Sequence, residues 1–324
     1  MRGKKELLIL IVIIAGLVAY LWTDKADRVN YKLPQIEALT TGKITRVEIK
    51  GPEETITLTR EDDAWYVGQR PYPASKRLVD SLLQAISGLQ VTSLASESEN
   101  YARYSLDQGS AIRVTAFEGG TPVRSFAVGK TASTQSNTFI TLEDRPQIYL
   151  SGQNLRMTFD KSSDMFRDKT VLSFPMDQVT SVTIAKGSAS LELTQQAQDE
   201  QDQDGPQQTA WIDADGDQVD SADVEDLLRP LHSLKCQSYI EDRDKEDFSD
   251  PELVITVQTD AGHELSLFPR RDQEDDTPSP ATSSDSEYPF EISGFNGQDI
   301  VSAADALLGI EPPQDDPSQK STQD

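Results

Sequence analysis

Cysteine is nearly absent: Cys236 is the only one in 324 residues, so no disulfide can form within the chain and the cysteine-based zinc patterns are ruled out. A chain of this length has to be held together by burial instead. Histidine is almost as scarce, with His232 and His263 alone. The chain also lacks a G-x-S-x-G nucleophile elbow, a P-loop and a glycine fingerprint for dinucleotides. The sequence therefore names no catalytic residue, no cofactor site and no metal site, and the expectation is a protein that is not an enzyme. Basic residues are outnumbered, 30 Lys plus Arg against 55 Asp plus Glu, which leaves a formal net charge of −25. Such a surface repels a phosphate backbone and argues against nucleic acid as a partner. By itself the charge selects no ligand, and its plain reading is a solvated acidic surface.

One long apolar run is present. Leu7 to Trp22 (LLILIVIIAGLVAYLW) carries no charge, follows Arg2, Lys4 and Lys5, and ends against Thr23, Asp24 and Lys25. Sixteen helical residues would rise about 24 Å at 1.5 Å each, a little short of a hydrocarbon core of about 30 Å. Snorkelling lysines, with Tyr20 and Trp22 at the interface, can close that gap. The basic cluster precedes the run, so the N-terminus is expected in the cytoplasm and the bulk of the chain in the periplasm or another extracytoplasmic space, on a single-pass inner-membrane anchor over residues 1–28. A cleaved signal peptide fits less well, because cleavage after Ala19 puts Leu17 where a small residue is needed.

Beyond the run, the chain reads as two copies of one unit, over residues 40–175 and 176–311. Ile44, Val47, Ile49, Ile56 and Leu58 fall on Val179, Val182, Ile184, Leu191 and Leu193 without a gap, each set a hairpin of alternating strands. A short strand follows, with Trp65 in one copy and Trp211 in the other. Then comes a helix in which Val79, Leu82, Leu83, Ile86 and Leu89 fall on Val224, Leu227, Leu228, Leu231 and Leu234, one apolar stripe in each case. Ser75 and Asp220 stand at the two helix starts, where each can accept a hydrogen bond from a first-turn N–H. Strands at 112–117 and 253–258, glycine turns (Gly119-Gly120, Gly262), return strands near Phe126 and Phe268, and closing segments at 148–152 and 290–294 complete the parallel. Short helical segments follow at 155–166 and 298–308. The expected fold is α+β: a transmembrane helix, then two tandem units that each pair a mainly antiparallel sheet with one amphipathic helix.

Gln195–Gln208 and Arg270–Glu287 are polar and acidic, with prolines. They read as loops too poor in apolar residues to pack, and the tail from Pro312 to Asp324 reads as disordered for the same reason. Met165 to Pro175 reads as a helix–turn connection. His232 and His263 read as ordinary surface residues, the first beside the apolar stripe of its helix and the second in a turn. The alternating acids of Asp213-Ala-Asp215-Gly-Asp217-Gln-Val-Asp220 could direct carboxylates at calcium. However, an EF-hand needs glycine at the sixth position and glutamate at the twelfth, where Gln218 and Val224 stand, so a turn feeding a helix cap is the better reading.

Several stretches carry a family likeness: the opening hairpin before Trp65, Pro73-Ala-Ser75, Tyr104-Ser-Leu-Asp107, Val128-Gly129, and Phe166-Arg-Asp-Lys-Thr-Val-Leu172. Together with the apolar run they resemble the bacterial family called domain of unknown function 4340. In the second copy Phe248-Ser-Asp250-Pro stands where the Tyr-x-Leu-Asp segment would be. The resemblance implies an accessory protein associated with ABC-type transporters of the gliding-motility kind, and no catalytic residue comes with it. The expected partners are the membrane and a transporter permease or related envelope protein. The alternative is an extracytoplasmic module that binds a ligand or glycan in a groove between the copies.

Overall fold

The structure is a computed structural model and describes residues 12–19, 31–133, 135–143, 145–197, 209–270 and 276–310. Residues 12–19 are helical (α1). The rest of Leu7–Trp22 and the tail from Pro312 lie outside the described residues, and no helix among those described is long and apolar enough to cross a membrane. The chain divides into two compact units, Met1–Asp168 and Lys169–Asp324. Both are α+β with a large antiparallel sheet.

Unit 1 contains β1 (Arg46–Lys50), β2 (Thr55–Glu61), β3 (Ala64–Val67), β4 (Tyr72–Pro73), α2 (Lys76–Ser87), β5 (Val91–Ser96), β6 (Ile112–Glu118), β7 (Thr121–Thr131), β8 (Thr138–Leu142), β9 (Ile148–Ser151), α3 (Leu155–Phe159) and α4 (Ser163–Phe166). Its nine strands lie in the order β4-β3-β2-β1-β6-β7-β8-β9-β5. The chain leaves the first four strands at one edge, crosses a face of the sheet as α2, and re-enters at the opposite edge as β5. That crossing demands an apolar stripe on the helix, and Val79, Leu82, Leu83 and Ile86 supply it, all buried. They pack with Val47, Ile49, Ile56, Leu58, Val114 and Val128 from the sheet and with Leu155, Phe159 and Phe166 from the two short helices. Strand alternation sends these sheet residues to one face, and each large side chain so buried contributes about 1.5–3 kcal/mol. A smaller cluster of Leu106, Ala111, Ala127 and Ile148 forms under the segment that carries Tyr101 and Tyr104.

Unit 2 contains β10 (Thr170–Ser173), β11 (Ser181–Lys186), β12 (Ala189–Ala197), β13 (Thr209–Ile212), β14 (Gln218–Val219), α5 (Ser221–Leu231), β15 (Ser233–Lys235), β16 (Ser238–Tyr239), β17 (Leu253–Gln258), β18 (Gly262–Leu267), β19 (Ser279–Ser283), β20 (Phe290–Ile292) and α6 (Gly294–Leu308). Its sheet runs β14-β13-β12-β11-β17-β18-β19-β20-β16, with β10 and β15 as a separate pair. Strand for strand this is the order of unit 1. The register repeats as well: Val47 pairs Leu58 and Ala116, while Val182 pairs Leu193 and Val257.

Several local expectations need correction. The stretch from Arg270 to Glu287 is not all loop, because Ser279–Ser283 forms β19, with Ser279, Ala281, Thr282 and Ser283 buried. Interior position between β18 and β20, not apolar character, places it there. Gln195 to Ala197 belong to β12 and pair with β13; residues 198–208 lie outside the described residues. The connection from Met165 to Pro175 includes a strand, β10, after the single turn of α4. Only one of the two matched helix starts is capped as expected: Asp220 Oδ1 accepts from the Ala222 N–H at 3.0 Å, whereas Ser75 makes no side-chain cap bond.

Candidate functional site

Four of the stretches that carry the family likeness meet in two pairs, through residues of unit 1. The Ser75 N–H donates to the Phe166 carbonyl at 2.7 Å and the Asp168 N–H to the Pro73 carbonyl at 2.7 Å, an antiparallel bridge centred on Ala74 and Arg167. The Arg167 guanidinium lies 4.0 Å from the Tyr72 ring centroid, within the range of a cation–π contact. Because β4 is an edge strand, this bridge covers one edge of the sheet. The second pair joins Gly129 to Tyr104-Ser-Leu-Asp107: no side chain fits at 129, since a Cβ would overlap the Tyr104 carbonyl oxygen and stand 2.8 Å from Leu106 Cγ. These motifs fasten the fold.

The two histidines occupy different settings. His232 ends α5, with Nδ1 2.7 Å from the Arg229 carbonyl oxygen; an acceptor there means that Nδ1 carries a proton and donates. His263 is not in a surface turn but on β18, its side chain only 13% exposed. Its Nδ1 lies 3.2 and 3.3 Å from the two Asp285 oxygens, its Nε2 3.2 Å from Thr259 Oγ1, and its ring 5.5 Å from that of Phe174. Asp285 in turn accepts from the Ser173 N–H at 3.0 Å and the Ser284 hydroxyl at 2.7 Å. Burial alone would raise the Asp285 carboxyl, but these hydrogen bonds, together with the charge of His263, outweigh it and hold the group below its ordinary value. The order Thr259, His263, Asp285 mimics an activated nucleophile, yet Thr259 is buried and its hydroxyl is spent on the turn it sits in, bonding Ala261 N–H and C=O. What the cluster does in this geometry is tie β10 to the turn after β19, helped by a bond from the Ser283 hydroxyl to the Val171 carbonyl.

The acidic stretch at 213–220 forms a turn. Asp213 Oδ1 accepts from the N–H groups of Asp215 (3.0 Å) and Asp217 (2.8 Å), the usual aspartate-stabilised turn. Among the described residues no group of three His, Cys, Asp or Glu side chains converges as metal ligands would.

A concavity that combines an aromatic side chain with charged ones lies elsewhere, beside Trp65. It is a groove of about 520 Å³ between β3–β4 and the start of α2, lined by Arg60, Asp63, Trp65, Lys76, Asp80 and Gln84 among others. Its volume falls in the range of small-ligand sites. Arg60 Nη1 donates to the Gly42 carbonyl at 2.8 Å and Nη2 to Asp63 at 2.9 Å, and Lys76 Nζ to Asp80 at 2.8 Å. Sequence pattern alone does not reveal this groove, because its residues are spread over two strands and a helix and only the β2–β3 register sets Arg60 opposite Trp65.

Fold and topology define a duplicated α+β protein with one large antiparallel sheet in each unit. Residues 65–252, more than half of the chain, match the family described as Domain of unknown function (DUF4340), and the chain belongs to that family. No curated protein matches it significantly, and no solved structure does so either.

Proposed function

We propose that this chain is a membrane-tethered accessory protein of the cell envelope, acting by contact on a transporter or related complex and not by catalysis. The observation that carries the reading is α1, on which Val12, Ile13, Ile14, Leu17 and Val18 are 48–61% exposed. Five large apolar side chains left open on one short helix are costly in water, and a bilayer removes that cost. The sequence around them stays uncharged from Leu7 to Trp22, long enough with snorkelling flanks to span. The preceding basic residues favour an extracytoplasmic position for the rest. The family likeness points to an ABC-type transporter as the complex. Protease added to intact spheroplasts should digest the chain, and detergent extraction should recover permease subunits with it. Recovery in the soluble fraction, or protection until the cells are lysed, rejects the tether; extraction of the chain without any companion protein rejects the accessory role.

A further inference from the structure

The surroundings of Trp65 differ in chemistry from those of Trp211 in unit 2, while the strand order is the same. Strand register sets Arg60 opposite Trp65 in one unit and Gln195 opposite Trp211 in the other. Lys76 at the start of α2 corresponds to Ser221 at the start of α5. Trp211 is sealed at 4% exposure, whereas Trp65 is half-buried and lines the groove. The fold is therefore built a second time with its tryptophan fully sealed and without the two ion pairs, so the partial exposure of Trp65, which otherwise packs on the core, and those pairs are not required by folding alone.

The Lys76–Asp80 pair, with its side chains 88% and 50% exposed, adds little to stability. Each cation of the groove is matched by a carboxylate, so the groove holds no unpaired charge to bind an ion, and the net charge of −25 around it disfavours an anion further. What remains is an aromatic surface flanked by donors and acceptors. Arg60 is held by Gly42 and Asp63, Asp80 offers carboxylate oxygens, and Gln84 offers an amide with both roles. A pyranose has that double character, with apolar C–H faces for an indole and vicinal hydroxyls that both donate and accept. We propose that this groove binds a neutral saccharide chain, with Trp65 as the stacking surface and Arg60, Asp63, Asp80 and Gln84 as the hydroxyl-binding groups.

The test uses the full chain in detergent, titrated with triacetylchitotriose, cellotetraose and maltotetraose while tryptophan emission and ligand saturation-transfer NMR are followed. At least one of the three is expected to bind saturably and to shift the emission. Trp65→Ala should weaken binding about tenfold or more, the scale of one lost aromatic contact, and Trp211→Phe should leave it unchanged. Asp80→Asn is made on an exposed helix position, so that the fold persists by circular dichroism, and should weaken binding severalfold. The proposal is overturned if none of the three sugars binds at millimolar concentration or if Trp65→Ala and Asp80→Asn both bind as tightly as the parent chain. It is equally overturned if polygalacturonate or a casein-derived peptide mixture binds better than the neutral sugars, which would assign the groove to anionic chains or to peptides.

Discussion

A methyl group at position 129 has nowhere to go, because the chain at Tyr104–Leu106 lies directly against β7 there. Gly129→Ala should therefore lower stability by about 1–3 kcal/mol, the usual cost of forcing extra bulk into a packed site. Gly42→Ala, where a Cβ meets nothing within 4 Å, should leave the thermal midpoint unchanged. Asp285 supports a prediction with a definite sign. Its carboxyl is held below the ordinary value of 3.8, so the stabilisation it supplies is complete above that value and is lost as the pH falls through the lower folded-state value. Asp285→Asn should lower the urea midpoint at neutral pH, and its difference from the parent should shrink once the pH is taken well below 3.8. At this scale the sequence was only half legible. Gly129 and the Tyr104 segment stand out as motif residues, but that one exists to admit the other depends on a contact between distant positions. His263 follows a glycine turn and reads as turn itself, although the turn is tight enough for β18 to begin at Gly262.

Among the elements, the two amphipathic helices offer an internal comparison. Asp220→Ala removes a cap bond and should cost about 1 kcal/mol, whereas Ser75→Ala should cost far less, since the Ser75 side chain makes no such bond; paired chemical-denaturation curves check both. The helices and inner strands were legible because their pattern is dictated by burial on one face, as the stripe Val79, Leu82, Leu83, Ile86 illustrates. β19 (Ser-Pro-Ala-Thr-Ser) was not, since a strand flanked on both sides takes its place from its neighbours' hydrogen bonds and can be built from small polar residues. Those small residues also admit α6: a Cβ on Gly297 would stand 3.0 Å from Ser279 Cβ. The Trp65 groove was invisible for a related reason: its lining residues are neighbours in sequence, within 41–84, but only the pairing of β2 with β3 and the packing of α2 turn them toward one concavity.

Over the whole molecule the net charge of −25 works against compactness, since like charges on the folded surface repel. Raising the ionic strength from about 10 mM to about 150 mM shortens the screening length from about 30 Å to about 8 Å, and the thermal midpoint should rise accordingly; a midpoint indifferent to salt would mean that the acids are already balanced locally. The duplication was legible at this scale because order and spacing repeat even where individual residues do not. The bridge between Pro73–Ser75 and Phe166–Asp168 bears on biosynthesis. Its second half is made last, so while the ribosome is still adding residues short of 168, the β4 border of the growing sheet has no cover of its own. A nascent chain paused there presents a bare strand to its neighbours, and the last three residues of the unit are what withdraw it from mispairing.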